Sequence, residues 1–381
     1  SVVGDAGRLA TVLSKEGKLV TREGDFNPER LLLDDDFIVM PKIRVGAEFT
    51  ESIIGIIDYN FGEFNLEPIK PLKFEQGKAE NLALSAKTNE QFLSVVSYNV
   101  ENLDRVARPD RIRALGVEVV EKLASPDIIA LQEVLDDDGV MDTNITSADE
   151  SLADIIEAIK RAGGPPYNFV NIDPVANADG GVLGGNIRPV LLYRSDISLH
   201  LAPGREAKPD QRISIQEKAG KPALSHNPGR LGIGDYFFNA SRKPLVAEFV
   251  FGDENFFIVN VHLKSKREDG PLYGDIQPPP LETEKQRLGQ AALISKTVEQ
   301  ILAIDPQAKV ILLGDLNDYP WSKTLSTLKN AGLIDLIESL PESERFTYSH
   351  SGMGQVLDHI LVSQALQPGV EDFQILHLNS I

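Results

Sequence analysis

The chain has 381 residues, 42% of them apolar, enough for one large core with a smaller unit beside it. It contains no cysteine, which excludes thiol catalysis, disulfides and zinc–thiolate sites. The formal charge of −19 would repel a polyphosphate unless a locally basic cleft or bound divalent cations reversed the sign.

Residues 1–75 alternate short strand-like pieces (KLVTR, RLLLDD, FIVMP, ESIIGIIDYNFG, FNLEPI) with turns, the pattern of a small β domain. Residues 76–90 are polar and irregular and read as a linker. From residue 91 the grammar changes. FLSVVSYNV is a strand, and RPDRIRALGVEVVEKLASP carries Ile112, Leu115, Val119 and Leu123 at helical spacing until a proline ends it. DIIALQEV is a second strand and ADESLADIIEAIKRAG a second helix. RPVLLYRSDISLH, KPLVAEFV and NFFIVNVHLKS are strands, ETEKQRLGQAALISKTVEQILAI is a long helix, and KVILLGDLND is a strand. A helix near 321–330, the FTYS piece and VLDHILVS complete the chain. This mixture predicts two sheets with helices outside, a layered core over 91–381. The stretches 203–240 and 268–280 read as long loops. No apolar run approaches the ~20 residues that span a bilayer, so no membrane span is expected. The chain opens SVVGDAGRLA, with no signal peptide and Ser in place of Met, as a processed or trimmed product would.

Five strands contain or end in polar groups that apolar packing does not explain: Asn99, Glu133, Asn260 with His262, Asp315 with Asn317, and Asp358 with His359. Strand ends converging on one cleft would give these groups a common purpose. Glu133 and Asp358 are hard oxygen ligands suited to Mg²⁺ or Mn²⁺, with Ca²⁺ also compatible. His262 and His359 can exchange protons near neutral pH. Asn99, Asn317, Arg188 and Lys264 are donors suited to phosphoryl oxygens. Together these fit metal-assisted hydrolysis of a phosphate ester.

The ordered segments SYNVEN (97–102), PDIIALQEV (126–134), IRPVLLYR (187–194), VNVHLKSK (259–266), ILLGDLNDYP (311–320) and LDHILVS (357–363) resemble the endonuclease/exonuclease/phosphatase superfamily. The resemblance covers about residues 92–381 and implies a four-layered α-β-β-α sandwich of the DNase I-like type. By motif, it implies Asn99 as an orienting residue and Glu133 as principal metal ligand. Asp315 and Asn317 would position the nucleophile, and His359 would be the catalytic histidine, oriented by Asp335. Asp358 would be a second metal ligand, His262 the second histidine, and Arg188 a phosphate contact. The GGNIRPVLLYR segment is similar to bacterial large extracellular nucleases, which carry a small β domain of OB type upstream. That likeness implies an extracellular or periplasmic location, while the missing cysteines keep a cytoplasmic one open. The expected activity is a nuclease acting on nucleic acid, DNA before RNA. The alternatives are a phosphodiesterase or phosphatase for small or lipid-derived phosphoesters, and an inert nucleic-acid-binding module.

Overall fold

The pattern of apolar spacing is realised in a computed structural model that describes residues 2–4, 12–15, 17–25, 30–44, 46–60, 62–77, 83–84, 91–350 and 352–378. Eight short strands come first: β1 (Val2–Gly4), β2 (Val12–Leu13), β3 (Leu19–Val20), β4 (Arg30–Leu33), β5 (Glu48–Phe49), β6 (Gly55–Asn60), β7 (Glu63–Pro68) and β8 (Phe74–Glu75). Four of them form a sheet in the order β1-β4-β7-β6, and β5 pairs with β8. Among the described residues these strands close no barrel. β2 and β3 stand outside that sheet, with Leu19 and Val20 buried. The expected strand FIVMP is irregular, and the expected linker at 76–90 falls mostly outside the described residues.

The larger part begins with β9 (Val95–Leu103), α1 (Pro109–Val117), β10 (Ile128–Val134), α2 (Asp149–Arg161), β11 (Tyr167–Val170) and β12 (Arg188–Arg194). Pro109 opens α1 at its first turn, where a missing N–H costs nothing. Gly116 lets α1 lie against α2, since a Cβ there would meet the Ala158 carbonyl carbon at 2.5 Å. The strands pair in the order β11-β12-β10-β9, with β9 and β10 parallel. There follow β13 (Leu199–Leu201), the hairpin β14 (Ile215–Lys218) and β15 (Lys221–Leu224), β16 (Gly229–Arg230), β17 (Leu245–Phe251), β18 (Glu254–His262), α3 (Glu284–Ile304), β19 (Lys309–Asp315), α4 (Lys323–Asn330) and β20 (Leu333–Asp335). The chain finishes with β21 (Tyr348–His350), β22 (Met353–Gln355) and β23 (Asp358–Ser363). The second large sheet runs β13-β17-β18-β19-β23-β20, again mixed, with β18 and β19 parallel. A further sheet, β2-β3-β22-β21, joins the N-terminal hairpin to strands beside the C-terminal end of β19.

Strand alternation sorts the core into three apolar clusters. One packs α1 and α2, through Ile112, Leu115, Leu152 and Ile155, on Leu131, Val190 and Leu192 of the first sheet. Another lies between the sheets, where Ile128, Ala130 and Leu191 meet Ala247, Phe249, Ile258 and Leu313. The last packs α3 and α4, through Ile294, Val298, Leu325 and Leu328, on Val259, Leu312 and Leu361. One buried amide crosses between the sheets. Asn260 Nδ2 donates to the Leu131 and Val190 carbonyls at 3.0 and 2.9 Å, and its Oδ1 accepts from Gln132 Nε2 at 2.8 Å. Among the described residues no helix is long and apolar enough to cross a membrane.

Candidate active site

The inter-sheet face decides which polar side chains meet. On β18 it is the face of Ile258 and Asn260, so His262 emerges on it two residues later. On β19 it is the face of Leu313, and Asp315 follows. Asp358 is the register partner of Asp315 across the β19–β23 pair and shares that face. From the facing sheet come Asn99 on β9 and Glu133 near the end of β10.

The hydrogen bonds close this group. Asn99 Nδ2 donates to Glu133 Oε1 at 3.0 Å and to Asp315 Oδ2 at 3.1 Å, bridging the sheets. Glu133 Oε2 accepts from the Asn102 amide at 2.8 Å, and Asp315 Oδ1 from the Asn317 amide at 2.9 Å. Three of these residues, Asn102, Glu133 and Asn317, have left-handed backbone with φ of 47°, 67° and 52°. Such strain in non-glycine residues is held only where the surroundings over-determine it. Gly314, before Asp315, has φ 136°, and a Cβ there would sit 2.0 Å from the Val261 carbonyl oxygen. Only glycine lets β19 run this close to β18 and deliver the carboxylate.

Burial, reinforced by the Asp358 carboxylate, pushes Asp315 up to about 8, and burial with Glu133 nearby pushes Asp358 up to about 6. His262 goes the other way, far below its ordinary value, through burial and the neighbouring Arg242. Its Nε2 lies 3.7 Å from both Glu133 Oε1 and Asp315 Oδ2, but a neutral ring makes neither contact an ion pair. A proton on Nε2 faces the carboxylates and leaves only the Nδ1 lone pair without a partner. Glu133, His262 and Asp315 each offer an atom within 4.8 Å of the others. Acids crowded until their protons are hard to remove, with one imidazole beside them, are a donor set that a hard divalent cation satisfies.

The structure does not bring every expected residue here. His359 is brought only in part: it lines the same cleft as Asp358, with its ring held by Asp335 on β20. Its Nδ1 pairs with Asp335 Oδ2 at 2.7 Å and its Nε2 with the Asp318 carbonyl at 2.9 Å, in a position 2% exposed. Burial alone would lower its pKa, but Asp335 and that carbonyl raise it above the ordinary value. Asp335 is thus placed to orient His359, and the pair ties β20, β23 and the turn after β19 together at the wall of the cleft. Arg188 is likewise buried. Its guanidinium donates to Asp173 Oδ1 at 2.7 Å and to the Asn186 carbonyl. Lys264 is drawn to Glu268 at 2.5 Å. Asn317 stays at the rim, donating to the Leu263 carbonyl at 3.3 Å.

Two other cations, Arg242 and Lys266, lie near the cluster. Arg242 is buried behind His262, donating from Nη2 to the Leu263 carbonyl at 2.6 Å, with its Nε unpartnered. Burial lowers its pKa while Asp315 and Glu133 support its charge. Lys266 lines the cleft with its Nζ 4.7 Å from the centre of the Tyr319 ring, 3.2 Å from Asp269 and 3.4 Å from Asp318, so it too is ion-paired. Both lie in basic stretches visible in the sequence, but nothing there ranks them above their neighbours. The cleft around the cluster measures about 1780 Å³ and includes Asn99, Tyr319, Tyr348 and His350 in its lining.

Residues 96–378 match the family described as endonuclease/exonuclease/phosphatase, and residues 1–76 match a domain of unknown function (DUF8508). No curated protein matches the chain. Among solved structures, truncated TDP2 from Caenorhabditis elegans is similar at 18% identity and a TM-score of 0.44, covering 71% of this chain and 83% of that one. The human Nocturnin catalytic domain with bound sulfate is similar at 16% and 0.43, covering 71% and 83%. A mannosyl-6-phosphatase from Bacteroides thetaiotaomicron is similar at 18% and 0.42, covering 72% and 86%. Likenesses of this size fix neither substrate nor reaction.

Proposed function

The chain belongs to the endonuclease/exonuclease/phosphatase family and is a metal-dependent phosphoester hydrolase, and from that premise we propose that it is a phosphodiesterase cutting nucleic acid, DNA before RNA. We read the three apolar clusters as the interfaces of a four-layered α-β-β-α sandwich, with residues 1–75 as an accessory β domain. A location outside the cytoplasm belongs to the same proposal and rests on the GGNIR likeness.

The observation that carries the reading is the convergence of Asn99, Glu133, His262, Asp315 and Asp358 from two sheets. Glu133 and Asp315, with Asp358 beside them, would hold Mg²⁺ or Mn²⁺. The ion, when bound, supplies a Lewis acid and neutralises charge on the phosphate. Asn99 fixes the spacing of the two carboxylates it bridges. Asp315 accepts the proton of the attacking water and Asn317 holds the turn that aims it. His262, kept neutral by Arg242 and by burial, keeps its Nε2 proton and offers it as a hydrogen bond to a phosphoryl oxygen as negative charge develops. Lys266 sits where a neighbouring phosphate of a polymer would pass.

The test is parallel digestion of plasmid DNA, linear DNA, RNA and bis-p-nitrophenyl phosphate with Mg²⁺ or Mn²⁺ and with EDTA. Polymer cleavage whose rate falls with salt supports the nuclease. Hydrolysis of the small diester alone favours the second reading, a phosphoesterase for small or lipid-derived substrates. One feature speaks for that reading: acidic Glu101, Asp358, Glu371 and Asp372 share the lining with Lys18, Lys266 and Arg267. Complete inactivity with every metal would return the chain to an inert binding module.

A further inference from the structure

The loop between β10 and α2 begins with three consecutive aspartates, and two of them have no structural explanation. Asp137 explains itself. Its carboxylate accepts from the Ser151 amide at 2.9 Å and from Ser147 Oγ at 2.8 Å, tying the loop to the first turn of α2. Asp136 is fully buried. Its Oδ2 accepts from Asn186 Nδ2 at 2.7 Å, but its Oδ1 is sealed from water with no partner. Asp138 repeats the pattern: Oδ2 accepts from Thr143 Oγ1 at 2.6 Å, and Oδ1 is buried and orphaned. The two carboxyl groups lie within hydrogen-bonding range of each other.

Buried acceptor oxygens facing each other without a donor are costly, and each requires an account. The nearby cations do not supply one. Arg188 gives its hydrogen bonds to Asp173 and the Asn186 carbonyl, and Arg105 pairs with Glu150 and Asp154.

We propose that Asp136 and Asp138 hold a hard divalent cation at a second site, outside the catalytic cluster, with Ca²⁺ as the ion that fits. Carboxylates on an irregular loop suit calcium, which accepts loop carbonyls and water to complete six to eight oxygens, whereas magnesium demands a rigid octahedron. With two carboxylate oxygens as the charged ligands, the affinity belongs with weak sites, with a Kd of about 10⁻⁴–10⁻³ M. The ion would stiffen the loop that follows Glu133 and the Asn186 segment that leads into β12.

The experiment uses the full chain carrying Glu133→Gln, which weakens the catalytic site, and reads calcium binding by titration calorimetry and by thermal shift with CaCl₂ alone. Calcium raises Tm in this background, and MgCl₂ at equal concentration raises it less. Adding Asp138→Asn, or separately Asp136→Asn, weakens calcium binding at least about tenfold. Adding Asp137→Asn leaves it intact while loosening α2. A calcium shift that survives both Asp138→Asn and Asp136→Asn overturns the proposal, as does its absence in the Glu133→Gln protein. Asp138→Asn stabilising the calcium-free protein with no calcium response in its parent also overturns it, since the carboxyl groups then share a proton. Equal loss of binding in Asp137→Asn would show diffuse acidic attraction and overturn it too.

Discussion

At Asp315 a buried carboxylate faces the carboxylate of Asp358 across a strand pair, and Asn99 is the neutral donor joining it to Glu133. Repulsion there is a cost of folding without metal. Asp315→Asn removes it, so the variant loses about 10²–10⁴ in kcat on bis-p-nitrophenyl phosphate yet gains roughly 2–6 °C in Tm in EDTA. A lowered Tm in EDTA would contradict the crowding. The same groups set the pH response. Both acids have folded pKa values raised above the unfolded one, to about 8 and about 6. Their contribution to metal-free stability is present below the unfolded carboxylate pKa and is lost as pH rises through those values. Metal binding has the opposite slope. Protons must leave, so affinity for Mn²⁺ falls as pH drops through 8 and again through 6, and calorimetry in buffers of different ionisation enthalpy records proton release. Most of this cluster was legible in the sequence, because Asn99, Glu133, His262, Asp315 and Asp358 all interrupt apolar strands. His359 was legible as a polar break in the same strand, and it lines the cleft together with Asp358 although neighbours in a strand alternate in direction. The partners of Arg188 and Lys264 were not legible. A side-chain partner such as Asp173, fifteen residues from Arg188, leaves no trace in local pattern.

Among the elements, β20 and β23 are held by more than their ladder, since the His359–Asp335 pair lies buried between them. Removing the imidazole leaves a sealed carboxylate without its partner. His359→Ala is therefore expected to cost about 3–5 kcal/mol in urea unfolding and, because His359 also lines the cleft, to lower kcat per folded molecule by about 10²–10⁴. Near-normal turnover in a fully folded variant would leave the pair a purely structural role. The raised pKa of His359 also gives a stability increment that is complete below the ordinary imidazole value and disappears as pH rises through the folded one. Asp335→Asn abolishes that dependence, which unfolding curves across pH measure directly. Helices α1 to α4 and the core strands follow from apolar spacing because each buries one stripe or face. The N-terminal unit was less legible. Its strands are two to six residues long, and periodicity over so few positions cannot say which sheet they will join.

Across the whole molecule, the N-terminal hairpin is built into the wall beside the active site. β3 pairs in parallel with β22, Thr21 bonds to Tyr273, and Arg30 stacks on that same ring. Three residues after β22 the chain reaches Asp358. Val20→Asp places a charge at a site 3% exposed. It is expected to open residues 12–25 to limited proteolysis and to lower kcat/KM on the small diester by about tenfold through slack in Asp358. Unchanged turnover in the nicked protein would make the hairpin a bystander.

The amide of Asn260 pins one sheet to the other, and the ligands of the proposed metal are divided between those sheets, Glu133 on one and Asp315 on the other. The gap the ion must bridge is therefore the thickness of the inter-sheet layer. Anything that thins or swells that layer retunes the ion's affinity without touching a ligand. Leu313→Ala, hidden in the layer two residues before Asp315, acts as such a spacer change, and hydrostatic pressure acts as a reversible one. The protein is in this sense a calliper, whose grip on its metal reports how tightly its two halves are packed.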